Sequence, residues 1–316
     1  MIVAKDLTMH YGPTVALSNA SFTADDRNVM GLLGPNGAGK TTCMNIITTQ
    51  IVPTSGTATV EGFSIQDNPV AIRNILGYLP ETAPLYAEMQ VDEYLEFVAK
   101  GRHIHEAKIP DRIDWVVEAC GIKGVYKRII GELSRGYKQR VGIAQALIHD
   151  PKVLILDEPT AGLDPVQIIE IRKLIRDLSK EKTIVFSTHI LQEAQATSDR
   201  IVIINEGKII ADGTASELRQ RAGGGSMVRL TVTGSQDDIE NKLRDIEGVR
   251  ELRAEPVPID DAACFVVEAD EGIDLIEKVG EKVKENGWMV REFTPHSLTL
   301  EETFISLIKD SFRKAG

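Results

Sequence analysis

Residues Gly34-Pro35-Asn36-Gly37-Ala38-Gly39-Lys40-Thr41 fit the pattern G-x-x-x-x-G-K-[ST]. An apolar segment, Val29 to Leu33, precedes them and a helix-like stretch follows, which is the strand–loop–helix setting this pattern needs. Glycines let the backbone wrap closely round a phosphate, and exposed N–H groups at the helix start then face the anion. Lys40 supplies a point charge to the β- and γ-phosphates of a nucleotide. The Thr41 hydroxyl can join a Mg2+ shell, and Thr42 can donate to a phosphate. A second reactive pair closes the run Val153-Leu154-Ile155-Leu156-Asp157-Glu158. A buried strand there delivers two carboxylates at its C-terminal end, where open α/β sheets bind their ligands. On its own such a pair is as often an ordinary exposed turn as a site. Beside a phosphate loop, Asp157 is expected to hold Mg2+ through water and Glu158 to reach an attacking water as general base.

These groups need a scaffold, and the pattern around them supplies an α/β one. Val153 to Leu156 and Thr183 to Ser187 are short, continuous and rich in apolar or β-branched residues, as strands buried on both faces of a mostly parallel sheet are. Between them Val166 to Ser179 predicts a helix with Ile168, Ile171, Leu174, Ile175 and Leu178 on one face. The chain opens with short alternating strand positions, Ile2, Ala4, Leu7 and Met9. A helix is expected to start near Ser134 and run through Ile143, Ala144 and Leu147.

Leu133-Ser134-Arg135-Gly136-Tyr137-Lys138-Gln139-Arg140, just upstream of the acidic strand, resembles the signature segment of the ATP-binding-cassette (ABC) family. With Gly34 to Thr42, Asp157-Glu158, Gly162-Leu163-Asp164 and His189 it makes residues 1–219 similar to an ABC nucleotide-binding subunit, because the motifs stand in the family's order. The resemblance implies a P-loop NTPase cassette: a mixed sheet with a RecA-like core, an antiparallel β subdomain and an α-helical subdomain. It also implies the cofactors ATP and Mg2+, and two copies closing round two nucleotides. Tyr11 then matches the aromatic that stacks on adenine. Ser134 and Gly136 match residues that meet the γ-phosphate held by the opposite subunit, Asp164 an acid linking the two sites, and His189 the histidine that senses γ-phosphate and positions water. Two departures stand out. Glu81, after Gly77-Tyr78-Leu79-Pro80, occupies the place of a family glutamine, where it can still approach Mg2+ or water. The signature reads LSRGY rather than LSGGQ, which adds the cation of Arg135 near the partner's phosphate.

Beyond residue 219, Gln220 to Ser226 includes three consecutive glycines and reads as a linker before a domain at 227–316. There Val228, Leu230 and Val232 alternate as a strand, and Asp237 to Ile246 predicts a helix. Val249 to Ala254 and Cys264 to Ala269 read as strands, Ile273 to Glu285 as a helix and Trp288 to Phe293 as a strand. The order β-α-β-β-α-β predicts a small α+β ferredoxin-like domain. A last helix is expected from Leu300 to Phe312. Two roles stand open for this domain, regulation through a ligand or partner and holding the dimer together. The segment Ser297 to Phe304, with Glu81 and LSRGY, resembles ABC-2 type exporter ATPases.

That resemblance implies an integral membrane permease of ABC-2 type as partner, export as the work done, and a position on the cytoplasmic face of the cell membrane. The net charge of −11 gives no sign of a nucleic-acid partner. No apolar run approaches the ~20 residues of a membrane span, so direct insertion is not expected. Cys43, Cys120 and Cys264 are odd in number and far apart, which fits reduced thiols. The competing class is a soluble ABC ATPase acting on ribosome or nucleic-acid complexes. A single cassette, no long coiled-coil insertion and an acidic balance all weigh against it.

Overall fold

The computed structural model describes residues 1–222, 227–257, 261–270 and 273–296. By packing, the chain divides into two units, Met1–Thr214 and Ala215–Gly316. The first begins β1 (Ile2–Tyr11), β2 (Thr14–Ala24), β3 (Val29–Leu33), α1 (Lys40–Ile47), β4 (Ser55–Val60) and β5 (Phe63–Ser64). It continues α2 (Pro69–Ile75), β6 (Leu76–Leu79), α3 (Val91–Gly101), α4 (Ile109–Ala119), α5 (Arg135–Leu147) and β7 (Val153–Leu156). It closes with α6 (Pro165–Ser179), β8 (Thr183–Thr188), α7 (Leu191–Thr197), β9 (Arg200–Asn205) and β10 (Lys208–Gly213).

The central sheet has the order β10-β9-β3-β8-β7-β6. Its inner pairings are parallel and only β10 runs antiparallel, against β9. Every residue of β3, β7 and β8 is buried, which is why their sequences run apolar through the middle rather than alternate. The two faces go to different cores. Leu154, Leu156, Ile184 and Phe186 pack with Val141, Ile143 and Leu147 of α5 and Ile171 and Ile175 of α6. Val153, Ile155, Val185, Leu32 and Val202 pack with Cys43, Met44 and Ile47 of α1. Each fully buried Leu or Ile in these layers contributes about 1.5–3 kcal/mol. An antiparallel sheet, β2-β1-β4-β5, adds Ile2, Leu7, Leu17, Phe22 and Val60 to the second core. Helices α3 and α4 complete the first core with Tyr94, Leu95, Ile113 and Val116. The mixed sheet, antiparallel sheet and helical portion are thus all present.

Helix starts follow their capping residues. Ser134 caps α5, its Oγ accepting from Tyr137 N at 3.4 Å. Asp164 caps α6, its carboxylate accepting from Gln167 N at 2.9 Å, with Pro165 in the first turn. Gln90 and Glu93 form a reciprocal box at the start of α3.

His149, after α5, has a pH consequence. Burial, helped by the positive charge of Arg102, pushes its imidazole down from 6.5 to about 4, against a hydrogen bond to Leu76 O. Above pH 6.5 neither folded nor unfolded chain protonates there, and the contribution to stability is complete. Between 6.5 and about 4 the unfolded chain takes up a proton that the native imidazole refuses, so stability falls as pH falls. Urea unfolding of the wild type and His149→Gln between pH 7.5 and 4.5 checks this. The wild type is expected to lose ground relative to the variant as pH drops, and a pH-independent difference would rule it out.

The second unit contains α8 (Ala215–Ala222), β11 (Met227–Thr233), α9 (Gln236–Arg244), β12 (Val249–Glu255), β13 (Ala262–Ala269), α10 (Leu275–Asn286) and β14 (Val290–His296). Its sheet runs β12-β13-β11-β14 with all neighbours antiparallel, the ferredoxin-like arrangement. Val228, Leu230, Val232, Phe265 and Val267 pack with Ile239 and Leu243 of α9 and Leu275 and Val279 of α10.

Three boundaries differ from expectation. Helix α10 starts at Leu275 because Asp274 caps it, accepting from Glu277 N at 3.0 Å. Trp288 precedes β14, since α10 ends in the left-handed Gly287 and Trp288 N returns to Val283 O. Residues 220–222 of the expected linker belong to α8. Gly223 to Ser226, Ser297 to Phe304 and the helix expected at 300–312 lie outside the described residues. The three cysteines are buried and unpaired, and burial pushes the Cys43 and Cys120 thiols up to about 12.

Candidate nucleotide site

The C-terminal ends of β3, β6, β7 and β8 meet at a cavity of about 350 Å3. Asn36, Gly37, Gly39, Lys40, Thr41 and Thr42 form one wall, Glu81, Glu158, Ala161 and His189 the other, and Ala16 of β2 a third. The loop after β3 takes its shape from close approaches that only glycine allows. Gly39 has φ +106°, and a Cβ there would lie 2.6 Å from Ala16 O. At Gly34 a Cβ would meet Ile204 O at 2.2 Å.

Lys40 begins α1 and is almost wholly buried. Its Nζ donates to Gly34 O at 2.7 Å and to Pro35 O at 3.2 Å, and it lies 3.4 Å from Glu158 Oε1. The other oxygen of Glu158 meets His189 Nδ1 at 2.9 Å. Glu158 therefore links the phosphate-loop lysine to the histidine after β8. Its backbone is left-handed, φ +47°, held by a hydrogen bond from its N–H to Ser187 Oγ at 2.8 Å. A non-glycine residue kept in that conformation stores strain, as residues at functional sites do.

Asp157 is 1% exposed. Its Oδ1 accepts from Ser187 Oγ at 2.5 Å, while Oδ2 is buried and has no hydrogen-bond partner among the described residues. An orphaned carboxylate oxygen at the strand end suits a hydrated Mg2+, so the residues present fit that ion, with Thr41 supplying a hydroxyl on the cavity wall.

Some expected residues stand apart from this cavity. Tyr11, 48% exposed, ends β1 opposite Thr14, and the β-sheet wall comes from Ala16 instead. Pro35 and Ala38 shape the loop through backbone groups: Pro35 O accepts from Ala38 N, and Ala38 O accepts from Gly207 N. Ser134 and Gly136 lie at the start of α5 and Asp164 at the start of α6, none of them on the cavity wall. These two helix starts pack on each other. A Cβ on Gly136 would lie 2.6 Å from the Gln167 side chain, and one on Gly162 would lie 2.3 Å from the Arg135 guanidinium. Ser187, Thr160, Thr188 and Glu193 hold the site together but went unnoticed in the sequence. The one available signal was a pair of hydroxyls, Ser187 and Thr188, closing an otherwise apolar strand.

Comparison with known proteins agrees with this geometry. The family model described as ABC transporter matches residues 17–161. The bacitracin transport ATP-binding protein BcrA of Bacillus licheniformis is 34% identical over 316 residues, covering 98% of this chain and 97% of BcrA. The chain belongs to the ABC transporter ATP-binding proteins. A further ABC relative, the ATP-binding protein YxlF of Bacillus subtilis, is 37% identical over 221 residues, 70% of this chain and 73% of YxlF. Among solved structures, an ATP-binding subunit of an ABC transporter aligns with TM-score 0.64 and 31% identity, over 71% of this chain and 93% of that one. CbiO1 of Clostridium perfringens, part of the ABC transporter complex cbiONQ, gives the same score and identity over 69% and 89%. As a member of this ABC family the chain is an ATPase, and among its described residues no helix is long and apolar enough to cross a membrane.

Proposed function

We propose that two copies of this chain bind two ATP–Mg2+ at a shared interface and use their hydrolysis to drive export through a separate ABC-2 type permease. The observation that carries the reading is the Lys40–Glu158–His189 chain of contacts, which joins the two walls of the phosphate-loop cavity. In each site Lys40 and the loop N–H groups hold the β- and γ-phosphates. Glu158 takes a proton from water as its oxygen attacks the γ-phosphorus in line, ADP leaves, and His189 orients the Glu158 carboxylate. Asp157 and Thr41 would hold Mg2+, which supplies charge neutralisation across the phosphate oxygens when bound. Glu81, exposed on the cavity wall, is placed to approach the same ion or its water.

Support for the paired arrangement comes from Ser134. It is exposed at the N-terminus of a thirteen-residue helix and away from its own chain's cavity, so its partial positive charge is free for a γ-phosphate on a second copy. Gly136 lies in the first turn after Ser134, Asp164 caps the start of α6, and the exposed ring of Tyr11 would stack on adenine. Export and a membrane partner draw support from relatives named for bacitracin transport and for linearmycin resistance. These names give no support to the ribosome or nucleic-acid alternative. The BcrA match runs across both units, which supports a place for the second unit in the same assembly. The protein would then sit on the inner face of the cell membrane through its permease.

Affinity purification of tagged Glu158→Gln with ATP from gently solubilised cells tests this. A multi-span membrane protein recovered at near-equal amount is the expected result. Ribosomal proteins or nucleic acid, with no membrane protein, would overturn the transport reading and leave the ATPase intact.

A further inference from the structure

Helix α7 buries a carboxylate that no motif accounts for. Glu193 is 3% exposed, and among the described residues no Lys, Arg or His lies within ion-pair distance of it. A carboxylate withdrawn from water needs strong hydrogen-bond partners. Glu193 has two, and both meet the same oxygen. Oε2 accepts from Thr160 Oγ1 at 2.5 Å and from Thr188 Oγ1 at 3.0 Å. Both threonines are themselves buried.

The two threonines belong to different segments, and each segment carries one member of the reactive pair. Thr160 lies two residues after Glu158, and Thr188 is the residue before His189. Thr188 is the better anchored. Its Oγ1 also accepts from Ile190 N at 3.0 Å, and its carbonyl accepts from Gly34 N at 3.2 Å, at the entry to the phosphate loop. The segment after Glu158 is a run of tight turns, with Ala161 N returning to Glu158 O and Leu163 N to Thr160 O. Such turns fix the loop's internal shape but not its distance from β8. Ser187 of β8 ties the loop at Glu158 N, and the Thr160–Glu193–Thr188 bridge adds a second tie beyond it, so that the loop is held on both sides of the 2.9 Å contact between Glu158 Oε2 and His189 Nδ1.

We propose that Glu193 is a positioning residue for ATP hydrolysis, its carboxylate clamping the Glu158 loop to the strand end that presents His189. Glu193 is not on the cavity wall, and the inference rests on the reading that Glu158 and His189 carry the chemistry. The clamp acts on geometry in the reacting complex more than on nucleotide capture, because the phosphate-binding groups sit on α1 and its preceding loop.

Steady-state ATPase assays on the full-length chain, with MgATP binding and thermal unfolding measured in parallel, test the clamp. Glu193→Ala is expected to lower kcat about 10- to 100-fold while KM and MgATP affinity move little, since a misplaced group costs rate more than binding. Glu193→Gln keeps an oxygen that accepts both hydroxyls and is expected to restore most of the turnover. Thr160→Val and Thr188→Val preserve shape and remove one donor each. Each lowers kcat, and in combination with Glu193→Ala the losses do not multiply. These two variants carry the test should Glu193→Ala fail to fold. Wild-type kcat in the Thr→Val variants and in folded Glu193→Ala, with Glu158→Gln inactive, would overturn the clamp alone. So would a KM that rises as far as kcat falls. Normal turnover in Glu158→Gln would instead overturn the reading on which the clamp rests.

Discussion

Replacing Glu158 with Gln is expected to lower kcat for ATP hydrolysis about 10²- to 10⁴-fold, the usual worth of a positioned general base. The side chain keeps its size, so the cavity wall and the contact with His189 Nδ1 can persist through the amide oxygen. What disappears is the proton acceptor. The groups that hold phosphate, Lys40 and the N–H groups of the loop after β3, are untouched, so MgATP affinity should stay close to wild type. Binding that survives while turnover stops should also trap the closed pair of subunits, visible as an ATP-dependent dimer in gel filtration. Single-turnover hydrolysis with excess protein measures the chemical step directly. Turnover within about threefold of wild type would remove Glu158 from the base role.

The second large effect is expected from Lys40→Met, and it falls on binding first. The Nζ now satisfied by Gly34 O, Pro35 O and the neighbouring Glu158 carboxylate is, among the described residues, the only Lys or Arg nitrogen on the cavity wall. A hydrogen bond to a charged group is worth about 1.5–3 kcal/mol, so MgATP affinity should fall roughly 10- to 100-fold, with kcat falling as well. Stability needs its own measurement. Lys40 and Glu158 are both nearly buried, and breaking a buried pair by removing one partner can cost about 3–5 kcal/mol. The double variant Lys40→Met/Glu158→Gln separates the two effects. It should regain stability, because Glu158 no longer leaves a charge without its Lys40 partner, and regain none of the nucleotide affinity. Unchanged affinity for MgATP in Lys40→Met would place the phosphates elsewhere.

What the sequence made legible was local. The phosphate loop, the acidic strand end and the runs that became β3, β7 and β8 each sit within a few residues, and their spacing encodes their shape. Much of the second unit was equally readable, because β11 alternates and α9 and α10 have clean apolar faces. Glu193 was not readable in the same way. An acid on a short helix looks solvated until Thr160 and Thr188, from two other segments, are seen to bond the same oxygen. Ser187 hid likewise, since its partners Asp157 and Glu158 follow another strand, β7. Trp288 and Ile273 were misplaced by the local caps at Gly287 and Asp274, whose effect is felt only once the helix between them has formed. The interplay of Arg135 with Gly162 was invisible because it joins the starts of two helices that the linear motifs keep apart.

The order of the central sheet has a bearing on how the protein is made. Strand β3, which leads into the phosphate loop, is flanked by β8 and β9, with Val29 against Ile184 and Met30 against Arg200. A ribosome releases β3 long before either neighbour exists. Closure of so distant a pairing carries a large chain-entropy cost and makes folding slow. An early, wholly apolar strand with both edges open is also a point of risk for association between unfinished chains. Nucleotide cannot protect it during that interval, because the cavity is complete only when Glu158 has followed β7 and His189 has followed β8. Synthesis is therefore expected to depend on holding the first stretch of chain in check until β9 has emerged, and ATP can stabilise only the finished cassette.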